Sequence, residues 1–405
     1  MPVDVKEAGR FLLIGIDGGA TKVSGWSLEI VDNGKAFTLG SINCVKSYHE
    51  YAGFIENFLP VDLNQQLSEW ERGEINLTQA ERQQANCYLA AVVEVISKII
   101  RESGRQEVLV GIGMPGIKTA DKRGIAVLKN GPRIIDYADQ IERRLLERGV
   151  KLIAPIAEIG SDAYYCGIGE EYATEGYFRG VNNSYYLGGG TGAADALKLN
   201  GKVIPLDETK GWFVKSWELS DGEGHSIERY VSSRGIQLIY GDLVGKSLDE
   251  LNQAGIFPPQ IYQLARQGDP AASQTFQQVI FYLAKLLYER ITSLYAGWQN
   301  LFTFVNPNRP QPANSHSYRQ ILFDSLIIGQ RLGDLLKDAQ EDDILWSPLI
   351  GHLTQLVSES PFLDQRAKDY YCPNGQFDRS LIKISRLREA PALGAGIDAY
   401  LTWRG

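Results

Sequence analysis

The run FLLIGIDGGATKVSGW, Phe11 to Trp26, decides the fold. Phe11 to Ile16 is an almost unbroken apolar run, long enough for one buried strand. It stops at an acid, Asp17. Gly18, Gly19, Ala20 and Thr21 follow, and a second strand-like run starts at Lys22 and continues through Val23, Gly25 and Trp26. The pattern is strand, tight turn of small residues, strand: a hairpin. Glycines in the turn let a ligand approach the backbone. Backbone N–H groups, the Thr21 hydroxyl and Lys22 then point toward an anion such as a phosphate. Asp17 at the strand end suits a hydrated magnesium ion, which prefers one or two carboxylates together with water and phosphate oxygens. Taken alone, DGG is also ordinary hairpin chemistry. The stretch is neither a P-loop nor a dinucleotide fingerprint. GxxxxGK[ST] and GxGxxG are both missing from it, and a strand rather than a helix follows the glycines.

The rest of the chain sets the bounds. At 405 residues there is room for two or three domains, and 44% hydrophobic with 22% charged residues is ordinary globular composition. A net charge of -8 argues against a general nucleic-acid binder, which needs a basic surface. No apolar run approaches the length of a membrane span. The opening MPVDVKEAGR has no apolar core of a signal peptide, so a cytoplasmic protein is expected. The four cysteines, Cys44, Cys87, Cys166 and Cys372, form no CxxC pair, and four scattered histidines form no HxH or HExxH.

Along the chain, Ala36 to Asn43 supplies a third strand, and Tyr48 to Asn76 reads as a loop with short helices. Thr78 with Glu81 forms a capping box for a helix whose apolar residues run from Leu89 to Ile100 and which Gly104 ends. Val108 to Ile112 is a buried strand that runs into Gly113-Met114-Pro115-Gly116. A strand, a helix and a strand in that order give an α/β domain with a mixed sheet. Ile125 to Leu128 is a short strand, Gln140 to Arg148 a helix, and Lys151 to Ile156 a strand. Glu158 to Asp162 then leads into a small-residue helix, Ala163 to Glu171. Tyr185 to Leu187, Gly188 to Gly192 and Ala193 to Leu199 repeat the opening theme of strand, Gly/Thr turn and strand. Ile227 to Tyr240 reads as one helix and Ser273 to Trp298 as a long core helix. Pro307 to Ser317 is a surface loop. Leu322 to Ile328 is a strand ending in Gly329 and followed by the helix Leu332 to Lys337. Leu381 to Ser385 is the last strand, and Ala392 to Leu401 the last helix.

In their order these blocks resemble the ROK family (repressors, open reading frames, kinases) of the sugar kinase/actin superfamily. Asp17-Gly18-Gly19-Ala20-Thr21-Lys22 resembles its first phosphate motif, and Gly113 to Gly116 its GxPG turn beside the sugar. Asn130-Gly131-Pro132 is similar to its asparagine-containing sugar loop, and Ser161-Asp162-Ala163 to the Asn-Asp-Ala segment with the catalytic base. Gly189-Gly190-Thr191-Gly192 resembles the second phosphate motif, and Gly224 to Ser232 the block that places a sugar-binding glutamate at Glu228. Ser325 to Gly329 stands where the adenosine-contacting strand and turn belong, and Leu393-Gly394-Ala395-Gly396 resembles the closing helix. The chain departs from the family in four places. No cysteine lies between Cys166 and Cys372, so the family's zinc cluster is missing. The sugar segment is at best Asp207 to Trp212, with Glu208 as its acid and His225 displaced to a later position. Ser161 replaces an asparagine, and Gln330 a second glycine.

The resemblance implies a two-lobed α/β fold, actin/hexokinase-like (ribonuclease H-like), with mixed sheets flanked by helices and an interdomain cleft. The first lobe is expected over 1–136 with the C-terminal helix 390–405, the second over 137–389. The implied activity is ATP- and magnesium-dependent phosphorylation of a sugar, with glucose the expected hexose and an N-acetylated hexosamine next. No structural zinc is implied. Asp162 would be the general base, accepting the proton of a sugar hydroxyl as it attacks; by itself Asp162 reads as a helix N-cap. Asp17 would hold magnesium through water. Gly18 to Lys22, Gly189 to Gly192 and Gly329 would bind the nucleotide, and Gly116, Asn130, Ser161, Glu208, His225 and Glu228 the sugar. The expected partners are a small-molecule sugar and ATP, with neither nucleic acid nor membrane, and family analogy suggests a homodimer. A repressor would need an N-terminal DNA-binding domain, for which a first strand at Phe11 leaves no room. A non-catalytic sugar- or nucleotide-binding protein that keeps the fold is the other reading.

Overall fold

The computed structural model describes residues 11–339 and 342–405, so the opening stretch 1–10, where no leader was expected, lies outside the described residues. The chain divides into two compact units, one running through Gly176 and including Glu389–Gly405, the other Tyr177–Arg388. Each is built on a mixed sheet.

In the first unit, β1 (Leu12–Gly18), β2 (Lys22–Val31) and β3 (Ala36–Ser47) form an antiparallel meander. Helices α1 (Leu63–Arg72) and α2 (Gln79–Ser103) follow. Next, β4 (Glu107–Gly113) lies parallel to β1. The short strands β5 (Ile117–Lys118) and β6 (Ile125–Val127) pair with each other, and helix α3 (Tyr137–Glu147) comes after them. Both β7 (Lys151–Leu152) and β8 (Ile159–Gly160) pair parallel with β4, ahead of helix α4 (Asp162–Tyr172). Of the expected Lys151 to Ile156 strand only Lys151–Leu152 is strand, and the second short piece, Ile159–Gly160, lies beyond it after a loop. The α2 boundaries follow the sequence signals. Thr78 and Glu81 form the reciprocal capping box, and Gly104 ends the helix in the left-handed conformation.

The unit boundary falls at Gly176 and not near Tyr137. The reason is pairing and burial: β7 and β8 rejoin the first sheet, and Tyr137, Ile141 and Leu145 of α3 sit in the first unit's core with Ile14, Ile16, Val92, Ile96 and Ile112. The chain returns to this unit through the C-terminal helix Ala390–Arg404. Its small residues allow close packing. A Cβ at Gly15 would lie 1.8 Å from the Ala392 carbonyl oxygen, and one at Gly111 1.8 Å from that of Ala395. Only glycine on β1 and β4 accepts a helix at that distance.

The second unit opens with β9 (Ser184–Gly189), β10 (Ala193–Leu199) and β11 (Lys202–Ile204), again an antiparallel meander. Strands β12 (Leu219–Ser220) and β13 (Thr303–Phe304) pair apart from it. Strand β14 (Ser325–Gly329) lies parallel to β9, and β15 (Ile382–Ile384) parallel to β14. The sheet order is β11-β10-β9-β14-β15. The long helix Pro270–Ala296 fills the core with Phe276, Leu283, Leu287, Ile291 and Leu294. The stretch expected as one helix from Ile227 to Tyr240 is two, Glu228–Val231 and Ser233–Val244. Ser232 is extended between them (φ -127°, ψ 153°), and its side chain caps the second helix by accepting from the Gly235 amide. The last strand before Gly329 starts at Ser325 rather than Leu322.

Candidate active site

The carboxyl ends of three parallel neighbours, β1, β4 and β8, gather the first unit's candidates. Asp17 pairs across to Gly113, and Gly113 to Gly160, so Asp17, the Gly113–Gly116 turn and Ser161-Asp162 leave the sheet on one edge. Strand ends of this kind are where α/β sheets present ligand groups. Burial first, then the carboxylates of Asp162 and Glu389, push the Asp17 carboxyl up to about 7, while Lys22 works the other way. Three acids near one another with one opposing cation suit a divalent metal, whose charge would offset their repulsion. Asp17 is the member at the strand end, and its side chain is partly exposed.

Asp162 is not the N-cap of α4. Ser161 holds that position and makes no side-chain capping bond; Asp162 is the first helical residue. Its Oδ1 accepts from the Ala163 amide at 2.9 Å, and the side chain is partly exposed. The neighbouring Gly113–Gly116 turn is braced by Lys118, whose Nζ donates to the Met114 and Gly116 carbonyls at 2.7 and 2.8 Å. Gly116 itself has φ +93°, and a Cβ there would lie 2.3 Å from the Val127 carbonyl oxygen.

Asn130 is exposed on a loop that is anchored at both ends. Gln66 of α1 exchanges hydrogen bonds with the Leu128 backbone, accepting from its amide at 2.8 Å and donating to its carbonyl at 3.2 Å. Beyond the loop, Arg133 is fully buried. Its Nε donates to Glu81 at 2.6 Å, Nη1 to Glu69 at 2.5 Å, and Nη2 to the Asn76 carbonyl at 3.0 Å. A buried guanidinium is tolerated because its donors are met by carboxylates and a carbonyl.

In the second unit the Gly189–Gly192 turn joins β9 to β10. Glu228 reaches it: its Oε2 accepts from the Ala193 amide at 2.9 Å and would lie 2.7 Å from a Cβ at Gly192. The helix break at Ser232 brings the Ser233 amide to the Gly190 carbonyl at 2.8 Å. Gly329, which pairs with Gly188 on β9, ends β14, and Gln330 follows with φ +58°. The Gln330 Oε1 would lie 2.3 Å from a Cβ at Gly190, so its side chain lies over the turn. Glu208 and His225 are exposed, and among the described residues no hydrogen bond joins either to this turn. His225 pairs with Asp221 at 3.0 Å, and with Glu223 the three place ligand atoms within 4.8 Å of one another.

Several contributors escape sequence reasoning. Glu389 gave only a positional hint, standing just before the closing small-residue helix. Lys118 and Arg133 gave none, because a lysine turned onto its own backbone and a buried arginine look like surface residues in a sequence.

No protein-family model and no curated protein matches the chain. Solved structures do. A ROK family glucokinase from Streptomyces griseus, in complex with glucose and AMPPNP, aligns at a TM-score of 0.58 with 15% identity, covering 96% of this chain and 99% of that one. ROK hexokinase from Thermus thermophilus aligns at 0.54 with 16% identity, over 97% and 99%. A ROK family transcriptional regulator, a homolog of the E. coli MLC protein, aligns at 0.56 with 14% identity, over 98% of this chain and 80% of that one. At such identities the likeness is one of architecture: the chain has the fold of the ROK-family sugar kinases.

Proposed function

We propose that the chain is an ATP-dependent kinase that phosphorylates a hydroxyl of a sugar, with a hexose such as glucose the first candidate and an N-acetylated hexosamine the second. The observation that carries this reading is the edge of β1, β4 and β8, where Asp17 and Asp162 stand close enough for their charges to couple. Asp162 is the general base. Its carboxylate, bound only at Oδ1 by the next amide among the described residues, accepts the hydroxyl proton as the oxygen attacks the terminal phosphate. Asp17 holds hydrated magnesium, which when bound neutralises charge on the phosphates. The remaining work is orientation and charge stabilisation. Gly18 to Lys22 and Gly189 to Gly192 supply N–H groups to phosphate oxygens, Gly329 borders the nucleotide, and Gly116, Asn130 and Ser161 orient the sugar. Glu208 and His225 are further sugar candidates. Glu228, engaged with the second turn, acts there by shaping it.

The same architecture in a transcriptional regulator supports a second reading, a sugar- or nucleotide-binding protein without catalysis. The two part at Asp162→Asn. A kinase loses phosphoryl transfer to the sugar and keeps binding of both ligands. A binding protein shows no transfer with either chain.

A further inference from the structure

The carbonyls of the first glycine turn are held in succession from one side. Tyr48 donates its hydroxyl to the Gly19 carbonyl at 3.2 Å, and Tyr88 donates to the Ala20 carbonyl at 2.7 Å. The Thr21 carbonyl accepts from Ser47 Oγ at 3.2 Å and from the Tyr48 amide at 3.1 Å. The two rings stack with centroids 3.6 Å apart and planes 15° apart, and they are 0% and 2% exposed. Tyr48 follows β3 and Tyr88 lies on α2, so two elements remote in sequence meet under the turn. Burial pushes both phenols up, which keeps them protonated donors at neutral pH.

Geometry carries the consequence across the backbone. In a trans peptide the C=O and the following N–H point in opposite directions. Holding the Gly19 carbonyl inward turns the Ala20 N–H outward, and holding the Ala20 carbonyl does the same for Thr21. Ala20, Thr21 and Lys22 are exposed, and the Ala20 and Thr21 amides take no part in the bonds just described.

We infer that Tyr48 and Tyr88 are positioning residues for phosphate: their hydroxyls hold the turn's carbonyls so that the Ala20 and Thr21 N–H groups face outward as a ready pair of donors for a phosphate oxygen. The inference rests on the phosphate role proposed for this turn. A donor pair fixed in advance loses no orientation on binding. Without the hydroxyls the turn keeps its residues but not its aim.

The test is calorimetric binding of magnesium–ATP and of tripolyphosphate to the wild type, Tyr48→Phe and Tyr88→Phe, with the sugar KM measured alongside. Tyr137→Phe is the control, since the Tyr137 hydroxyl is buried and has no hydrogen-bond partner among the described residues. Loss of one such bond should weaken both phosphate ligands roughly threefold to tenfold in each variant, with the sugar KM and Tyr137→Phe unchanged. If one tyrosine variant does not fold, the other still decides, since each hydroxyl holds a different carbonyl of the turn. Wild-type phosphate affinity in the folded variants overturns the inference and leaves the kinase reading standing. A wild type that binds neither ligand overturns the phosphate role of the turn, and this inference with it.

Discussion

Glu228 shows how much one side chain's direction decides. Sequence resemblance assigns it to a sugar, yet its carboxylate accepts from the Ala193 amide at 2.9 Å and lies against Gly192. A charged acceptor on a turn amide is worth about 1.5–3 kcal/mol. Glu228→Ala should therefore raise the KM for ATP on the order of tenfold and leave the sugar KM within error, as steady-state kinetics with each substrate varied would report. A sugar KM that rises while the ATP KM stays level would return Glu228 to the sugar. Asp162 was legible as the base candidate from its block, but its cap position was not. Whether an acid stands at the N-cap or one residue inside depends on the backbone angles of Ser161, which residue type alone does not set.

At the scale of elements, the loop bearing Asn130 is fixed by helices α1 and α2 through Gln66, Glu69, Glu81 and Arg133. The Arg133 guanidinium, helped by Gln65, holds the Glu69 carboxyl down at about 2. An unfolded glutamate titrates near 4.5. The folded state thus binds that proton less readily, so the stabilisation is complete above the unfolded value and is lost as pH falls toward 2. Glu69→Gln should melt below the wild type at neutral pH, and the gap should close between about pH 5 and 2. A gap independent of pH would mean that the pair is not the source.

Element boundaries were readable where a local signal set them, as at Thr78, Glu81 and Gly104. They were not where tertiary contact overrides pattern. The apolar spacing from Ile227 to Tyr240 continues through Ser232, but packing against the second glycine turn breaks the helix there and sends the Ser233 amide to Gly190. Helix α1 was hidden among aromatics and Pro60, and its Gln66 and Glu69 are buried polar residues that hydropathy reads as surface.

For the whole molecule, the sequence order of the two glycine turns and the closing helix carried the architecture, while the division between units followed strand pairing that no linker composition marks. The C-terminal helix closes the first unit through glycine contacts on β1 and β4. Gly111→Ala would press a methyl group against the Ala395 carbonyl, where only 1.8 Å is available. Overpacking of this kind costs about 1–3 kcal/mol or more. The variant should melt several degrees lower by calorimetry, whereas Gly351→Ala, in a helix with no atom within 4 Å of the new methyl, should melt no lower than the wild type. Equal melting of the two variants would contradict the packing described.

The most direct measurement is transfer of the terminal phosphate of ATP, with magnesium, to a panel of hexoses, hexosamines and their N-acetyl forms, run in parallel on the wild type and Asp162→Asn. The wild type should phosphorylate at least one sugar of the panel. The rate should be lower by about 10²–10⁴-fold in the variant, with sugar and nucleotide affinities retained. Transfer that survives in Asp162→Asn at the wild-type rate would overturn the role of Asp162, and a wild type that binds sugar and ATP yet transfers nothing would overturn the kinase.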